Sequence, residues 1–466
     1  MITKEVLENL KPFQARSIIE DLRKGSVPVE FVPLFTVGRT NWLTFIKDDL
    51  ENYIAEGGSK VRFISGDYGD GKTHFMSVIQ HIALAREFAI SFVVLTREVP
   101  IHKFETVYQN IVKGLKGRFE GTGIRKFLEW WLDHFVERTT KSIKKLDKSE
   151  KSTQEIYAHL SRELQKIHGM DINFINALTS LASNHFEQLN TKEEIKRGGD
   201  KEQANDQNNG YANKDSESYE KNKLQTDNEI LLNWFEGGKS AKKELKSFQI
   251  YESLNKTNSK RFLNSLILFL KYTGHKGLIL LFDEMETVIA QSASIRSAAY
   301  ENVRLLIDNS ESSKFLHIFF SIIPDVLISE KGFKSYDALW SRVRSIGETS
   351  SSLNFRGVLV DIHRTPLNTE ELVELGRTLR TIHGNSYRWN AEESVKDELL
   401  EQICTNQKRM GVLSEVRLFI KQLIRVLDMA EQGESTENMD MRQQIVEARR
   451  EMDAEKLEQL QPSWDS

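Results

Sequence analysis

The sequence predicts an α/β fold in which a five-stranded parallel sheet carries a large helical insertion and a C-terminal helical lid. Three observations predict it. Five short runs rich in Val, Ile, Leu and Phe, at 61–65, 90–95, 278–282, 316–323 and 358–362, have the length and composition of buried parallel strands. The first runs straight into the stretch GDYGDGKT at 66–73, which a helical pattern follows, giving a strand, a glycine-rich loop and a helix in that order. Between the second and third runs, residues 103–270 are charged and helical in period, and after Pro366 helical periodicity takes over.

In chain order, residues 1–30 read as a helix, with Leu7, Leu10, Phe13, Ile18, Ile19 and Leu22 at helical spacing and Gly25 and Pro28 near its end. It is expected to pack on the core that follows. That core spans 31–365 and starts with a short segment at 35–39 and a helix at 42–54. Within the insertion, 127–132 and 172–186 are apolar, and the Trp130–Trp131 pair is assigned to its interior rather than to a base-stacking platform. Residues 196–223, rich in Gly, Asn, Asp, Lys, Ser and Glu, cannot bury enough apolar surface to offset ordering and are predicted to be a disordered loop. A helix carrying Arg296 and Arg304 leads into the run at 316–323. The lid, 366–430, holds helices at 369–383, 391–405 and 414–429. The polar tail, 431–466, has one exposed helix at 439–460 and a frayed end.

Composition narrows the class. At 466 residues with 39% hydrophobic and 28% charged residues the chain has the make-up of a soluble globular protein, and a net charge of −4 gives no global electrostatic reason to seek nucleic acid. The single cysteine, Cys404, excludes an internal disulfide framework or a CxxC metal site and suits a reducing cytoplasm. Residues 1–11 lack the apolar centre of a signal peptide, and no run approaches the roughly 20 apolar residues of a membrane helix. A cytoplasmic protein with no membrane contact is expected.

The chemistry concentrates at strand ends. In the loop Gly66, Asp67, Tyr68, Gly69, Asp70, Gly71, Lys72 and Thr73, the glycines let successive N–H groups turn toward phosphate oxygens, and the helix that follows adds the positive end of its dipole. This is a P-loop. Lys72 is placed to reach the β- and γ-phosphates of ATP, and Thr73 to give its hydroxyl to Mg2+, with His74 next in the stretch. Asp283 follows five apolar residues, so a buried strand delivers it to the sheet edge as a second Mg2+ contact, and Glu284 beside it can polarise water as a general base. An acidic pair here separates a hydrolase from a small-molecule kinase or a GTPase. Glu286 is either a further polar contact or charge at a helix start, and the second is the favoured reading.

Further candidates carry less information. Ser321 is a polar sensor beside the γ-phosphate if the 316–323 strand lies between the P-loop strand and the Asp283 strand, or else an ordinary strand-end hydroxyl. Arg342 and Arg344, ahead of the last strand, are alternatives for an arginine reaching a neighbour's γ-phosphate, or solvated salt-bridge residues. Arg417 is the lid arginine that could close over the phosphates. Gly38 and Arg39 either flank the base or make a simple turn.

Together these residues resemble an AAA+ type P-loop NTPase of the replication-initiator (origin-recognition) branch. More closely, the chain is similar to the BREX-system ATP-binding (BrxD-like) family. The resemblance rests on ARSIIEDLRKG at 15–25, RFISGDYGDGKTHF at 62–75, WFEG at 234–237, GLILLFDEME at 277–286, AYENVR at 299–304 and LIRVLD at 423–428. It implies an ATPase acting as switch, loader or remodeller in bacterial anti-phage defence, working as a homo-oligomer with a helicase- or nuclease-like partner. DNA contact, direct or through that partner, is compatible with it. The alternative is an ATP-dependent scaffold with little turnover that docks such a partner.

Overall fold

A computed structural model describes residues 7, 9–143, 150–199, 210–308, 313–344, 353–434 and 440–460. The apolar runs assemble into one sheet of β1 (Ser59–Ser65), β2 (Ala89–Val94), β3 (Leu115–Lys116), β4 (Leu278–Asp283), β5 (Leu316–Ile322) and β6 (Leu359–Asp361), ordered β3-β2-β4-β5-β1-β6. β5 lies between β1 and β4 and pairs in parallel with both, which brings Ser321 alongside the strand that ends in Asp283. Side chains of β4 alternate between two cores: Leu278, Leu280 and Phe282 face one, Ile279 and Leu281 the other.

The helices α1 (Pro12–Arg23), α2 (Thr40–Asp49) and α3 (Lys72–Ala85) precede β2. Trp42 and Ile46 of α2 pack with Phe75, Met76 and Ile79 of α3 over the Ile279 face. The next helix, α4 (Phe104–Lys113), stops at Gly114, and the chain turns back along the edge of β2. There β3 pairs antiparallel, with Ile90 opposite Lys116. The sheet is therefore six-stranded and mixed, not the five-stranded parallel sheet predicted. A two-residue edge strand has no periodicity to read; a turn at Gly114 and a 2.7 Å bond from Gly123 N to Leu115 O create it.

The insertion comprises α4, α5 (Ile124–Ile143), α6 (Glu150–Gln165), α7 (Ile172–Gly199), α8 (Gly210–Phe235), α9 (Lys242–Ser247) and α10 (Ser259–Tyr272). Phe127, Trp131, Phe174, Trp234, Phe262 and Phe269 join the same core as Leu278, Leu280 and Phe282, so the insertion and the sheet share one apolar interior. Trp131 is buried and Trp130 packs against that core. Of the predicted disordered loop, 196–199 and 210–223 are helical, and 200–209 lie outside the described residues. A polar composition argues against a buried face but not against a helix, because Glu, Lys and Gln are good helix formers.

After β4 come α11 (Ala293–Asp308), α12 (Pro324–Ile328) and α13 (Asp337–Val343). Beyond β6 lie α14 (Thr369–Tyr387), α15 (Ala391–Ser394), α16 (Asp397–Arg409), α17 (Val416–Glu431) and α18 (Met441–Leu460). Helix α1 does not add to the sheet's core as expected. Its buried face, Ala15, Ile18, Ile19 and Leu22, shares a cluster with Leu372, Leu379, Leu423 and Leu427 of the lid, while Phe13 is 83% exposed. Helical spacing reveals that a face is buried, not which element covers it. Arg23 seals the join through Asp428 at 2.7 Å and the Tyr387 hydroxyl at 3.1 Å. The tail helix α18 is likewise not simply exposed: Ile445 and Ala448 are buried against Val412 and Leu418.

Candidate functional site

At the end of β1 the chain enters the loop through Gly66, where a Cβ would lie 2.7 Å from Ile362 Cγ1, so only glycine passes beneath the end of β6. Gly69 and Gly71 have φ of +94° and +87°, which side chains rarely tolerate. Helix α3 then starts at Lys72, whose ammonium, on a residue 8% exposed, donates to Gly66 O at 2.9 Å and Asp67 O at 3.2 Å. It also lies 5.1 Å from the centre of the Tyr68 ring. On the other flank, Asp67 N donates to Asp70 Oδ2 at 2.7 Å, and His363 Nδ1 stands 3.1 Å from that oxygen and 3.4 Å from Asp67 Oδ2. The bond to Asp70 raises the His363 pKa. The Arg39 guanidinium donates to Asp70 O.

At the end of β4, Asp283 is held on both carboxylate oxygens. Thr73 Oγ1 donates to Oδ2 at 2.8 Å, while Oδ1 receives the Ser321 hydroxyl and the Glu284 N–H, the latter at 3.0 Å. Glu284 N also lies 3.2 Å from Ser321 Oγ. These bonds fix Glu284 at φ +62°, a left-handed conformation that costs a non-glycine residue about 1–2 kcal/mol. Burial, and then the Asp283 charge, raise the Glu284 pKa against the pull of Lys72.

The chain continues into a short 3-10 turn, Met285–Val288, that carries Glu286 inward. Glu286 is 8% exposed, and neither carboxylate oxygen has a hydrogen-bond partner among the described residues. Burial pushes its pKa up to about 7, opposed by Lys72 and assisted by Glu284. It is not the solvated helix-start charge that the sequence suggested. Tyr68 responds to the same charges: burial first, then Glu286, Glu284 and Asp325, push its hydroxyl up to about 12.

Loop residues 67–74 together with Asp283 and Glu284 line a cavity of about 400 Å3, which Glu286, Ser321 and His363 do not reach. Its polar end is the loop with Asp283 and Glu284; its apolar end is made by Val27, Phe35 and Val37 from the N-terminal segment and Leu367, Leu375 and Ile420 from the lid. The volume is that of a small-molecule site. Gly38, at φ +67°, lies so close to the lid that a Cβ would meet Leu367 Cδ2 at 2.5 Å. Arg39 is half-buried with its Nε enclosed, and desolvation pulls its pKa down to about 10 against the charges of Asp70 and Glu371. His74 pairs through Nε2 with Thr36 Oγ1 at 3.1 Å, and burial, assisted by Arg39, lowers its pKa to about 3. Arg417, at the start of α17, donates its N–H to Gly69 O at 3.2 Å, and Met452 of α18 lies 3.6 Å from where a Gly69 Cβ would stand. Lid and tail thus meet the tip of the loop.

The structure brings residues 67–74, Gly38, Arg39, Asp283, Glu284 and Arg417 to one cavity, with Ser321 bonded to Asp283 and Gly66 leading into the loop. It does not bring Arg342 there: this residue binds Asp308 and Ala338 O and lies outside the lining, and Arg344 is exposed. Sequence reasoning missed Thr36, His363 and the wall made by the N-terminal segment, and for Glu286 it preferred helix-start charge over a further polar contact. His363 had a usable signal, since it follows the last parallel strand, and such strand ends open onto ligand crevices. Among the described residues no helix is long and apolar enough to cross a membrane.

A family model described as BREX system ATP-binding protein BrxC/D matches residues 10–197 and 212–447. No curated protein and no solved structure gives a significant match.

Proposed function

The chain belongs to the BREX system ATP-binding protein BrxC/D family, and from that premise we propose that it hydrolyses ATP with Mg2+ as an AAA+ type switch, loader or remodeller in anti-phage defence. The observation that carries this is the bonded set Thr73, Asp283, Ser321 and Glu284, of which Thr73, Asp283 and Glu284 line one cavity with Lys72. Loop N–H groups and the start of α3 would take the phosphates, with Lys72 neutralising the terminal ones. The apolar end would take the base. The Thr73 hydroxyl and the Asp283 carboxylate, two hard oxygen donors 2.8 Å apart, fit a magnesium ion, which would supply charge neutralisation between phosphates.

Glu284 would accept the proton of the attacking water. Its raised pKa favours that role, and Ser321 holds its backbone and the Asp283 carboxylate in one arrangement. Arg417 stands where the lid meets the phosphate loop. Arg342, which does not line its own cavity, would act from a neighbouring copy in a homo-oligomer.

Glu284→Gln is expected to keep ATP binding and to lose turnover by on the order of 100-fold or more, measured as phosphate release. Equal release by mutant and wild type would overturn the hydrolytic reading. The Asp308-bound state of Arg342 favours a second reading, in which ATP is held with little turnover and occupancy docks a helicase- or nuclease-like partner. In that case Glu284→Gln leaves complex formation intact while Lys72→Ala abolishes it. A rise in ATPase rate on adding DNA would point instead to direct DNA engagement.

A further inference from the structure

Thr36 Oγ1 lies 2.7 Å from Val32 O and 3.1 Å from His74 Nε2. A carbonyl oxygen only accepts, so the single hydroxyl proton of Thr36 is committed to Val32 O. His74 Nε2 must then be the donor, and the imidazole is its Nε2–H tautomer. The other nitrogen, Nδ1, is left as an acceptor in the neutral ring.

Among the described residues nothing hydrogen-bonds to Nδ1, yet it is not one of the buried polar atoms left without a partner. Since His74 lines the cavity, that is where Nδ1 finds space. The ring packs 5.3 Å from that of Phe35, directly after Thr73 on the first turn of α3. It thus adjoins the phosphate end, 67–73, through Thr73 and the apolar end through Phe35. In a nucleotide laid along this cavity, the group between phosphates and base is the ribose, whose hydroxyls are hydrogen-bond donors.

Resting on the nucleotide-binding reading above, we propose that His74 Nδ1 accepts a hydrogen bond from a ribose hydroxyl and so distinguishes ATP from the deoxy analogue that lacks that hydroxyl. Thr36 is the positioning residue: its hydroxyl fixes the tautomer that leaves the acceptor free. This goes beyond phosphate binding by the loop, because it assigns the sugar to a side chain that the loop's own geometry does not require.

The test is equilibrium titration calorimetry of the full chain with ATP, 2′-deoxyATP, 3′-deoxyATP and purine riboside triphosphate, which lacks only the base amine. Wild type is expected to bind one of the two deoxy analogues roughly five- to ten-fold more weakly than ATP. His74→Phe should lose that distinction, and His74→Asn, which keeps an acceptor near the Nδ1 position, should recover it. Thr36→Val should narrow it although the imidazole remains, because the ring can then carry its proton on either nitrogen. If His74→Phe fails to fold, the Asn and Thr36→Val ratios decide.

Wild-type binding of ATP and both deoxy analogues with equal affinity would overturn the proposal, as would an unchanged ratio in the variants. A loss confined to purine riboside triphosphate would also overturn it, by moving the contact to the base. Absence of any ATP binding by wild type would instead overturn the nucleotide-binding reading beneath it.

Discussion

The Thr73 hydroxyl donates to Asp283 Oδ2 at 2.8 Å, joining two residues 210 positions apart across the whole helical insertion. The first turn of α3 and the end of β4 are thereby held at the spacing that a shared divalent cation needs. Asp283→Asn keeps the shape and removes the charge. It is expected to weaken ATP binding at least roughly ten-fold in magnesium and to leave binding in EDTA unchanged, since only charge at a metal contact is lost. Equal weakening in both conditions, read by titration calorimetry, would locate the defect in packing instead.

Glu286 gives a pH dependence whose sign is fixed. Its pKa is raised from 4.5 to about 7, so the folded protein keeps a proton there that the unfolded chain releases. Stability from this group is complete below about 4.5 and is lost as pH rises through about 7. Glu286→Gln, which cannot ionise, should match wild type near pH 4.5 and exceed it by roughly 1–3 kcal/mol at pH 8. Urea unfolding at the two pH values reads the difference, and a mutant no more stable at pH 8 would contradict it.

Arg342 and Asp308 form a partly exposed pair, worth about 0–1 kcal/mol to stability. If Arg342 works across a subunit boundary, Arg342→Ala should reduce phosphate release of the assembled protein by on the order of 1,000-fold, with ATP affinity kept. Asp308→Ala should not. Native mass measured with and without ATP accompanies the assay: persistent monomers, or equal effects from the two substitutions, would reduce Arg342 to a salt-bridge residue.

The tail helix α18 bears on the lid at its most sensitive place. Arg425 binds Glu447 at 2.6 Å and Glu451 at 3.3 Å, Arg449 lies 3.4 Å from Glu415, and Met452 approaches Gly69. The apolar part of the contact is small, with Ile445 at its centre. Ile445→Asp should therefore unseat α18 without unfolding the remainder and speed nucleotide release several-fold, roughly the effect of losing 1 kcal/mol. Stopped-flow displacement of a fluorescent ATP analogue measures it; an unaltered rate would remove α18 from the site.

What could be read from the sequence is what depends on neighbours along the chain. Gly69 and Gly71 announce a loop with positive φ, and Asp283 announces itself as a charge after five apolar residues, so the loop and the acidic pair were placed from local pattern alone. The position of β5 between β1 and β4 is expected only on the condition that the chain is of the P-loop class that inserts a strand there. Glu286, by contrast, is a charge whose burial is decided by Lys72 and Tyr68 from a distant segment. β3 has no period to detect. For α1 the apolar face was legible, but its partner, Asp428 with the leucines of α14 and α17, lies at the other end of the chain.

That last contact sets an order of events during synthesis. Arg23 and Asp428 are 405 positions apart. At roughly 5–20 residues per second, the interval between their appearances is about 20–80 s. For most of it Ile18, Ile19 and Leu22 have no lid to cover them, and the cavity lacks the wall made by Leu367, Leu375 and Ile420. A nascent chain can complete its sheet and phosphate loop without being able to enclose a nucleotide. Nucleotide can thus be enclosed only by chains whose C-terminal helices have left the ribosome.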